Sequence, residues 1–270
     1  MKALFLDVDG TLALGGNSIG KAIETTNKLG SSDEFDIFIT TNNTSLGYDE
    51  TKEKLSKLGL KSENFELINP ELVFRNYLLS LSDSLDILII GTESLSKSIE
   101  SYYKPKQHSK RVVLVGFDKE LNYGKLVEAG RYLEAGASFW TLHQDSFCPT
   151  EYGRIPDAGS IAKLLELVYD SQPSIDFGKP NELYCEYVKT IVPRYENVFL
   201  VGDRLNTDIS FGNRLGLNTV LVLTGDSSIE DISLAITPSC IYEDINIFYS
   251  DLLNIKDDND PSFTHRKRLN

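Results

Sequence analysis

The chain has 270 residues, 41 % of them hydrophobic and 25 % charged, with a formal net charge of −13. That is a globular composition, long enough for one large domain or two smaller ones, and its acidity disfavours nucleic acid and anionic membrane as partners. Cys148, Cys185 and Cys240 are odd in number and far apart, and no apolar run approaches the roughly 20 residues of a membrane span. Neither a zinc site, a disulfide scaffold nor a signal peptide is indicated, and a reducing cytoplasm is expected.

Ala3–Leu6 is the first of several short apolar runs without strict alternation, the pattern of strands buried on both faces. It runs into Asp7-Val8-Asp9-Gly10-Thr11. Two carboxylates at a strand end, followed by a glycine turn, can be aimed differently. One can then attack as a nucleophile while the other handles protons, which suits phosphoryl transfer through an aspartyl-phosphate. Phe35–Ile39 is the next strand and ends in Thr40-Thr41-Asn42-Asn43. Its hydroxyls and amides suit phosphate oxygens, although a Thr/Asn turn ends many strands.

Ile87–Ile90 follows, then a helix after Thr92, the strand Val112–Val115, a helix over Asn122–Glu134 and the strand Ser138–His143. Ile161, Leu164, Leu165 and Val168 repeat at helical spacing behind an expected N-cap at Ser160. Tyr184, Tyr187, Val188 and Ile191 do the same, with Asn181 placed as N-cap and Pro193 as the stop. Just before that helix, Gly178-Lys179-Pro180 holds a lysine suited to neutralising a phosphoryl group. Val198–Val201 then delivers Gly202-Asp203-Arg204-Leu205-Asn206-Thr207-Asp208-Ile209. Two carboxylates five residues apart, starting at a strand end, suit a metal ligand backed by a second acid. Thr219–Leu223 is the last strand. From about Asn254 a mixture of Asp257-Asp258-Asn259-Asp260 and Arg266-Lys267-Arg268 predicts a loosely ordered tail.

Strand alternating with helix predicts an α/β fold with a mostly parallel sheet, whose ligands sit at the carboxyl ends of the strands. Asp7 to Thr41 spans 34 residues and Lys179 to Asp203 spans 24, each one strand–helix–strand unit. Thr41 to Lys179 spans 138, several times the ~30 residues of such a unit. The spacing therefore predicts a discontinuous core, 1–76 plus 175–270, with an inserted α/β domain at 77–174.

Acid, threonine, lysine and acid on successive strand ends resemble the four motifs of the haloacid dehalogenase superfamily. The finer resemblance is to the branch holding phosphoglycolate phosphatase, para-nitrophenylphosphatase, pyridoxal phosphatase and ribonucleotide monophosphatase. It rests on DVDGTL at 7–12, TNN at 41–43, GKPN at 178–181 and GDRLNTDI at 202–209, with GFDKELNYGKL at 116–126 and GRIPDAGSI at 153–161. The resemblance implies a Rossmann-like core and an inserted α/β cap that closes over the site. It implies a Mg2+-dependent phosphatase of small phosphorylated metabolites, with a homodimer through the cap by analogy. Residue by residue, it makes Asp7 the nucleophile and Asp9 the acid and base. Thr41 and the amide of Asn42 would bind phosphoryl oxygens, and Lys179 would offset their charge. Mg2+ would be held by Asp7, the carbonyl of Asp9 and Asp203, with Asp208 in support.

Many relatives carry an Asn-containing strand end in the cap where this chain has Leu142-His143-Gln144-Asp145, with Cys148 just beyond. His143, Asp145 and Cys148 are therefore the expected determinants of substrate choice. A carbon–halogen hydrolase is disfavoured by Asp9, since a halide needs no acid. A phosphomutase is disfavoured by the lack of room for a cap between the first two motifs. The remaining alternative is a catalytically silent member acting as a ligand-binding or regulatory subunit; loss of a catalytic position would favour it, and none is lost.

Overall fold

The computed structural model describes residues 1–14, 16–104, 109–150 and 153–254, so the expected tail lies outside the described residues apart from Asn254. The chain divides into two compact units. The first comprises Met1–Thr41, Lys54–Ile68 and the chain from Cys185 onward; the second comprises Asn42–Glu53 and Asn69–Tyr184. Sequence spacing set the inserted segment at 77–174, whereas the second unit starts at Asn69, ends at Tyr184 and adds the short stretch after Thr41. The helix Pro70–Ser80 belongs to it because Phe74 and Tyr77 on that helix pack edge-on against Phe177, and Tyr77 against Trp140.

The first unit is built on a six-stranded sheet. Its order is Cys240–Tyr242, Asn218–Val222, Asn197–Gly202, Lys2–Leu6, Phe35–Thr40 and Glu66–Ile68, and every pairing is parallel. Ala3, Leu4, Phe5 and Leu6 are wholly buried, as a central parallel strand covered on both faces requires. Phe5 stacks on Phe38 of the neighbouring strand at 4.7 Å between centroids, a pair worth about 1 kcal/mol beyond its buried area.

The second unit has its own parallel sheet, ordered Ile175–Asp176, Ser138–Thr141, Lys110–Val115 and Leu85–Ile90, and an antiparallel hairpin of Phe147–Thr150 with Gly153–Pro156. Its helices start at side-chain caps. Asn69, Thr92 and Asn122 accept from the backbone N–H of Leu72, Leu95 and Lys125. The helix Ala158–Tyr169 differs from expectation. Its cap is Asp157, whose carboxylate accepts from the N–H of Ala158, and Ser160 lies inside the first turn. Of the apolar repeat on that helix, Ile161 and Leu165 are buried while Leu164 and Val168 are exposed. Glu71, on the helix Pro70–Ser80, is buried with one carboxylate oxygen accepting from Ser98 Oγ. Burial, opposed by that hydroxyl, pushes its carboxyl up to about 7.

Candidate active site

In the first unit, Leu6 pairs with Val201 on one side and Ile39 on the other, so three central strands end level. That register brings Asp7, Thr41 and Asp203 to the carboxyl edge of one sheet, the edge where open α/β sheets bind ligands. Asp7 N–H donates to the Val201 carbonyl at 3.0 Å, and Thr41 N–H to the Ile68 carbonyl at 3.3 Å. The backbone then turns sharply, with the N–H groups of Thr11, Leu12 and Ala13 all directed at the Val8 carbonyl. Asp9 stands exposed on this turn, while Asp7 is 9 % exposed. The two acids of the motif thus have different surroundings, one near-buried and one in water.

Asp203 and Asp208 are 3 % and 1 % exposed. Asp203 follows the strand Asn197–Gly202, and Asp208 lies in one wide π-turn, Leu205–Ile209, in which the Ile209 N–H reaches the Arg204 carbonyl five residues back and Asp208 Oδ2 accepts from the Arg204 N–H at 3.2 Å. Carboxylate oxygens of Asp7, Asp203 and Asp208 all lie within 4.8 Å of one another.

Like charges in a dry site repel, and the consequence is visible at Asp203: burial first, and the Asp208 carboxylate second, push its carboxyl up to about 7. One oxygen of Asp203 accepts from the Asp226 N–H at 2.7 Å. The other, Oδ1, is buried with no hydrogen-bond partner among the described residues. An orphaned carboxylate oxygen beside two further carboxylates fits a small hard cation, for which oxygen ligands are the preferred donor set.

Two glycines make room for this carboxylate. Gly10 has a φ of +88°, and a Cβ there would stand 2.6 Å from Asp203 Oδ2; a Cβ on Gly225 would overlap the same oxygen. Gly225 and Asp226 are part of the site that sequence reading missed. The signal was present, since Thr219–Leu223 is one more apolar run ending in a polar, glycine-containing stretch.

The second unit holds the other expected residues. Lys179 is buried, and the Asn42 side chain brackets its peptide group: Asn42 Oδ1 accepts from Lys179 N–H at 2.8 Å, and Asn42 Nδ2 donates to the Lys179 carbonyl at 3.1 Å. The same Nδ2 donates to Asp145 Oδ1 at 3.1 Å. Asn42, Lys179 and Asp145 are therefore brought together by hydrogen bonds. His143 has no exposed surface, so its side chain meets protein and not solvent. Cys148 is half-buried on the hairpin strand Phe147–Thr150, where it pairs with Ile155. Thr44 and Asp157, which no sequence signal singled out for the site, both contact His143.

Comparison with known proteins agrees with this geometry. A family model described as haloacid dehalogenase-like hydrolase matches residues 4–104, and a second HAD-hydrolase-like model matches 176–247. An acid sugar phosphatase of Staphylococcus epidermidis is 27 % identical over 255 residues, 93 % of this chain and 98 % of its own length. The crystal structure of a 4-nitrophenylphosphatase from Thermotoga maritima superposes with a TM-score of 0.81 at 29 % identity, covering 92 % of this chain and 96 % of that one. A glycerol phosphate phosphatase from Mycobacterium tuberculosis, known in complexes with calcium and with magnesium, gives a TM-score of 0.75 at 28 % identity over 90 % of this chain; 73 % and 75 % of those chains are covered. The chain belongs to the haloacid dehalogenase-like hydrolases, in their nitrophenylphosphatase branch. It is an enzyme, a phosphatase.

Proposed function

We propose that this phosphatase hydrolyses small phosphate monoesters in two steps through an aspartyl-phosphate on Asp7, with Mg2+ as its metal. The observation that carries the reading is the buried set of Asp7, Asp203 and Asp208 with its unsatisfied Asp203 Oδ1. Asp7, the Asp9 carbonyl and Asp203 would hold the ion, and Asp208 would fix Asp203 from behind. When bound, Mg2+ supplies Lewis-acid charge to the phosphoryl oxygens.

In the first step an Asp7 oxygen attacks phosphorus, the ester P–O bond breaks, and Asp9 gives its proton to the leaving alkoxide. In the second, Asp9 takes a proton from water. The resulting hydroxide attacks phosphorus, the acyl-phosphate bond breaks, and inorganic phosphate leaves Asp7 free. Exposure suits Asp9 to this exchange with water, and near-burial suits Asp7 to nucleophilic attack. Thr41 and the Asn42 amide bind phosphoryl oxygens, and Lys179 offsets their charge. Cys148 takes part in choosing the leaving group, while Asp145, hydrogen-bonded to Asn42, and the wholly buried His143 contribute by position.

The substrate class is a small phosphorylated metabolite, and a homodimer through the second unit belongs to the same proposal. Exposed Leu164 and Val168 on the helix Ala158–Tyr169 support it. The three free cysteines fit the cytoplasm as compartment. Among the described residues, no helix is long and apolar enough to cross a membrane.

The test is para-nitrophenyl phosphate hydrolysis with Mg2+ and with excess chelator. Turnover that stops with chelator and returns with Mg2+ is expected; full turnover in chelator would remove the metal from the mechanism.

A further inference from the structure

The segment that follows Thr41 is unusually well tied down for a loop. Thr44 Oγ1 accepts from the Phe117 N–H at 2.9 Å and hydrogen-bonds His143 Nε2 at 3.1 Å. Ser45 accepts at its carbonyl from Thr92 Oγ1 at 3.1 Å, and the Gly47 N–H donates to Ser94 Oγ at 2.9 Å. Thr44 and His143 are both wholly buried. Every one of these partners belongs to the second unit.

His143 is the centre of this arrangement. Nε2 hydrogen-bonds Thr44 Oγ1 and lies 3.5 Å from Asp157 Oδ1; Nδ1 makes no hydrogen bond among the described residues and lies 3.9 Å from Asp145 Oδ2. Asp157 is the cap of the helix Ala158–Tyr169, and Asp145 receives the Asn42 amide. Thr44 is hydrogen-bonded to His143, His143 packs beside Asp145, and Asp145 is hydrogen-bonded to Asn42, two residues before Thr44 in the chain. Asn42 also brackets the Lys179 backbone, N–H and carbonyl. Strand-end backbone and helix cap, both rigid, anchor the imidazole. The hydroxyl of Thr44 has one proton and two lone pairs, so it can serve either imidazole tautomer.

We propose that His143 is a positioning residue, a latch that through Thr44 and Asp145 fixes the segment Asn42–Gly47 and the Lys179 backbone for phosphate binding. The proposal rests on the phosphatase reading above. It differs from a role in substrate choice because Asn42 and Lys179 serve the phosphoryl group, which all esters share. A latch therefore acts on every ester alike, whereas a leaving-group contact changes their ranking.

The experiment has two arms. Amide hydrogen exchange reads the segment whether or not the protein turns over. Inorganic phosphate affinity and kcat/KM for several esters read the coupling. In His143→Leu, exchange at 42–47 should speed up while the sheet amides of 110–115 keep their protection. Phosphate affinity and kcat/KM for all esters should fall by one common factor, about 10- to 100-fold. His143→Asn, which keeps a donor and an acceptor, should recover part of the loss. Thr44→Val should reproduce the loss, and the double variant should be no worse than the poorer single one. If His143→Leu does not fold, Thr44→Val, which is close to isosteric, carries both arms. Unchanged exchange at 42–47, a changed ester ranking, or fully additive losses would each overturn the latch. A wild-type protein that neither binds phosphate nor hydrolyses esters would sink the phosphatase reading instead, and the exchange arm would still decide the latch.

Discussion

The two units differ in the charge of the polar groups they bury together. In the first, Asp7, Asp203 and Asp208 crowd their negative charges together, and one Asp203 oxygen is left without a hydrogen-bond partner among the described residues. In the second, Asn42 and Thr44 each make more than one hydrogen bond to fixed neighbours. A group of like charges in a dry place is costly until a cation arrives, so the first arrangement stores a demand for a ligand. The hydrogen bonds of Asn42 and Thr44 give stiffness, although His143 Nδ1 beside them is buried without a hydrogen-bond partner among the described residues. An unpartnered buried atom therefore does not distinguish the first centre, since both units have them; three carboxylates gathered within 4.8 Å of one another do.

The largest effect should come from Asp7. Asp7→Asn should keep the fold and lower kcat by about 10^4-fold or more, because an amide cannot attack phosphorus. Circular dichroism and para-nitrophenyl phosphate turnover check it, and activity within tenfold of wild type would refute the nucleophile. Asp9→Asn should come next, with losses of about 10^2- to 10^4-fold for alkyl phosphates and a clearly smaller loss for para-nitrophenyl phosphate, whose leaving group needs little protonation. Equal losses would remove Asp9 as the general acid.

A third experiment sharpens the contrast between the units. Asp203 and Glu71 each have a carboxyl raised to about 7 in the folded chain, chiefly by burial. A raised carboxyl binds its proton more tightly folded than unfolded. Each therefore contributes stability that is full below about pH 4 and lost as pH rises through about 7. In chelator, Tm should fall over that window, and Asp203→Asn or Glu71→Gln should each flatten the fall. Mg2+ should raise Tm at pH 8 by about 3 °C or more in wild type and in Glu71→Gln, yet hardly at all in Asp203→Asn. Equal Mg2+ stabilisation of Asp203→Asn and wild type would deny the carboxylate its part in metal binding. The smallest effect belongs to Cys148→Ala, expected to shift the relative kcat/KM of two esters by only a few-fold, about 1 kcal/mol. A uniform change across esters would make Cys148 structural.

Much of this molecule was legible beforehand because parallel strands buried on both faces leave near-continuous apolar runs. Ala3–Leu6, Phe35–Ile39, Val112–Val115 and Val198–Val201 all lie within observed strands, and the acids at their ends could be read directly. The sheet edges were not legible. Glu66–Ile68 and Cys240–Tyr242 are three residues long, too short for any periodicity. The repeat Ile161, Leu164, Leu165, Val168 predicted a helix well but not its buried face, since periodicity says which residues align and not how wide the covered stripe is. The π-turn was also out of reach. Spacing showed two acids five residues apart, and not that one ends a strand while the other lies in the widened turn behind it. His143 reads as an isolated histidine because Thr44, its partner, is 99 residues away.

The hydrogen atoms standing in for side chains at Gly10 and Gly225 have a consequence for how this protein can vary. One carboxylate, Asp203, forbids a methyl group at two positions far apart in the chain. A library of all substitutions at 10 and 225 should therefore return glycine almost alone under selection for turnover. Alanine at either site would displace Asp203 before it disturbed the sheet. Such a pair, separated in sequence yet packed against each other and against one carboxylate, makes the acidic centre hard to alter by single steps. Its evolution is confined to exchanges that leave the space beside Asp203 empty.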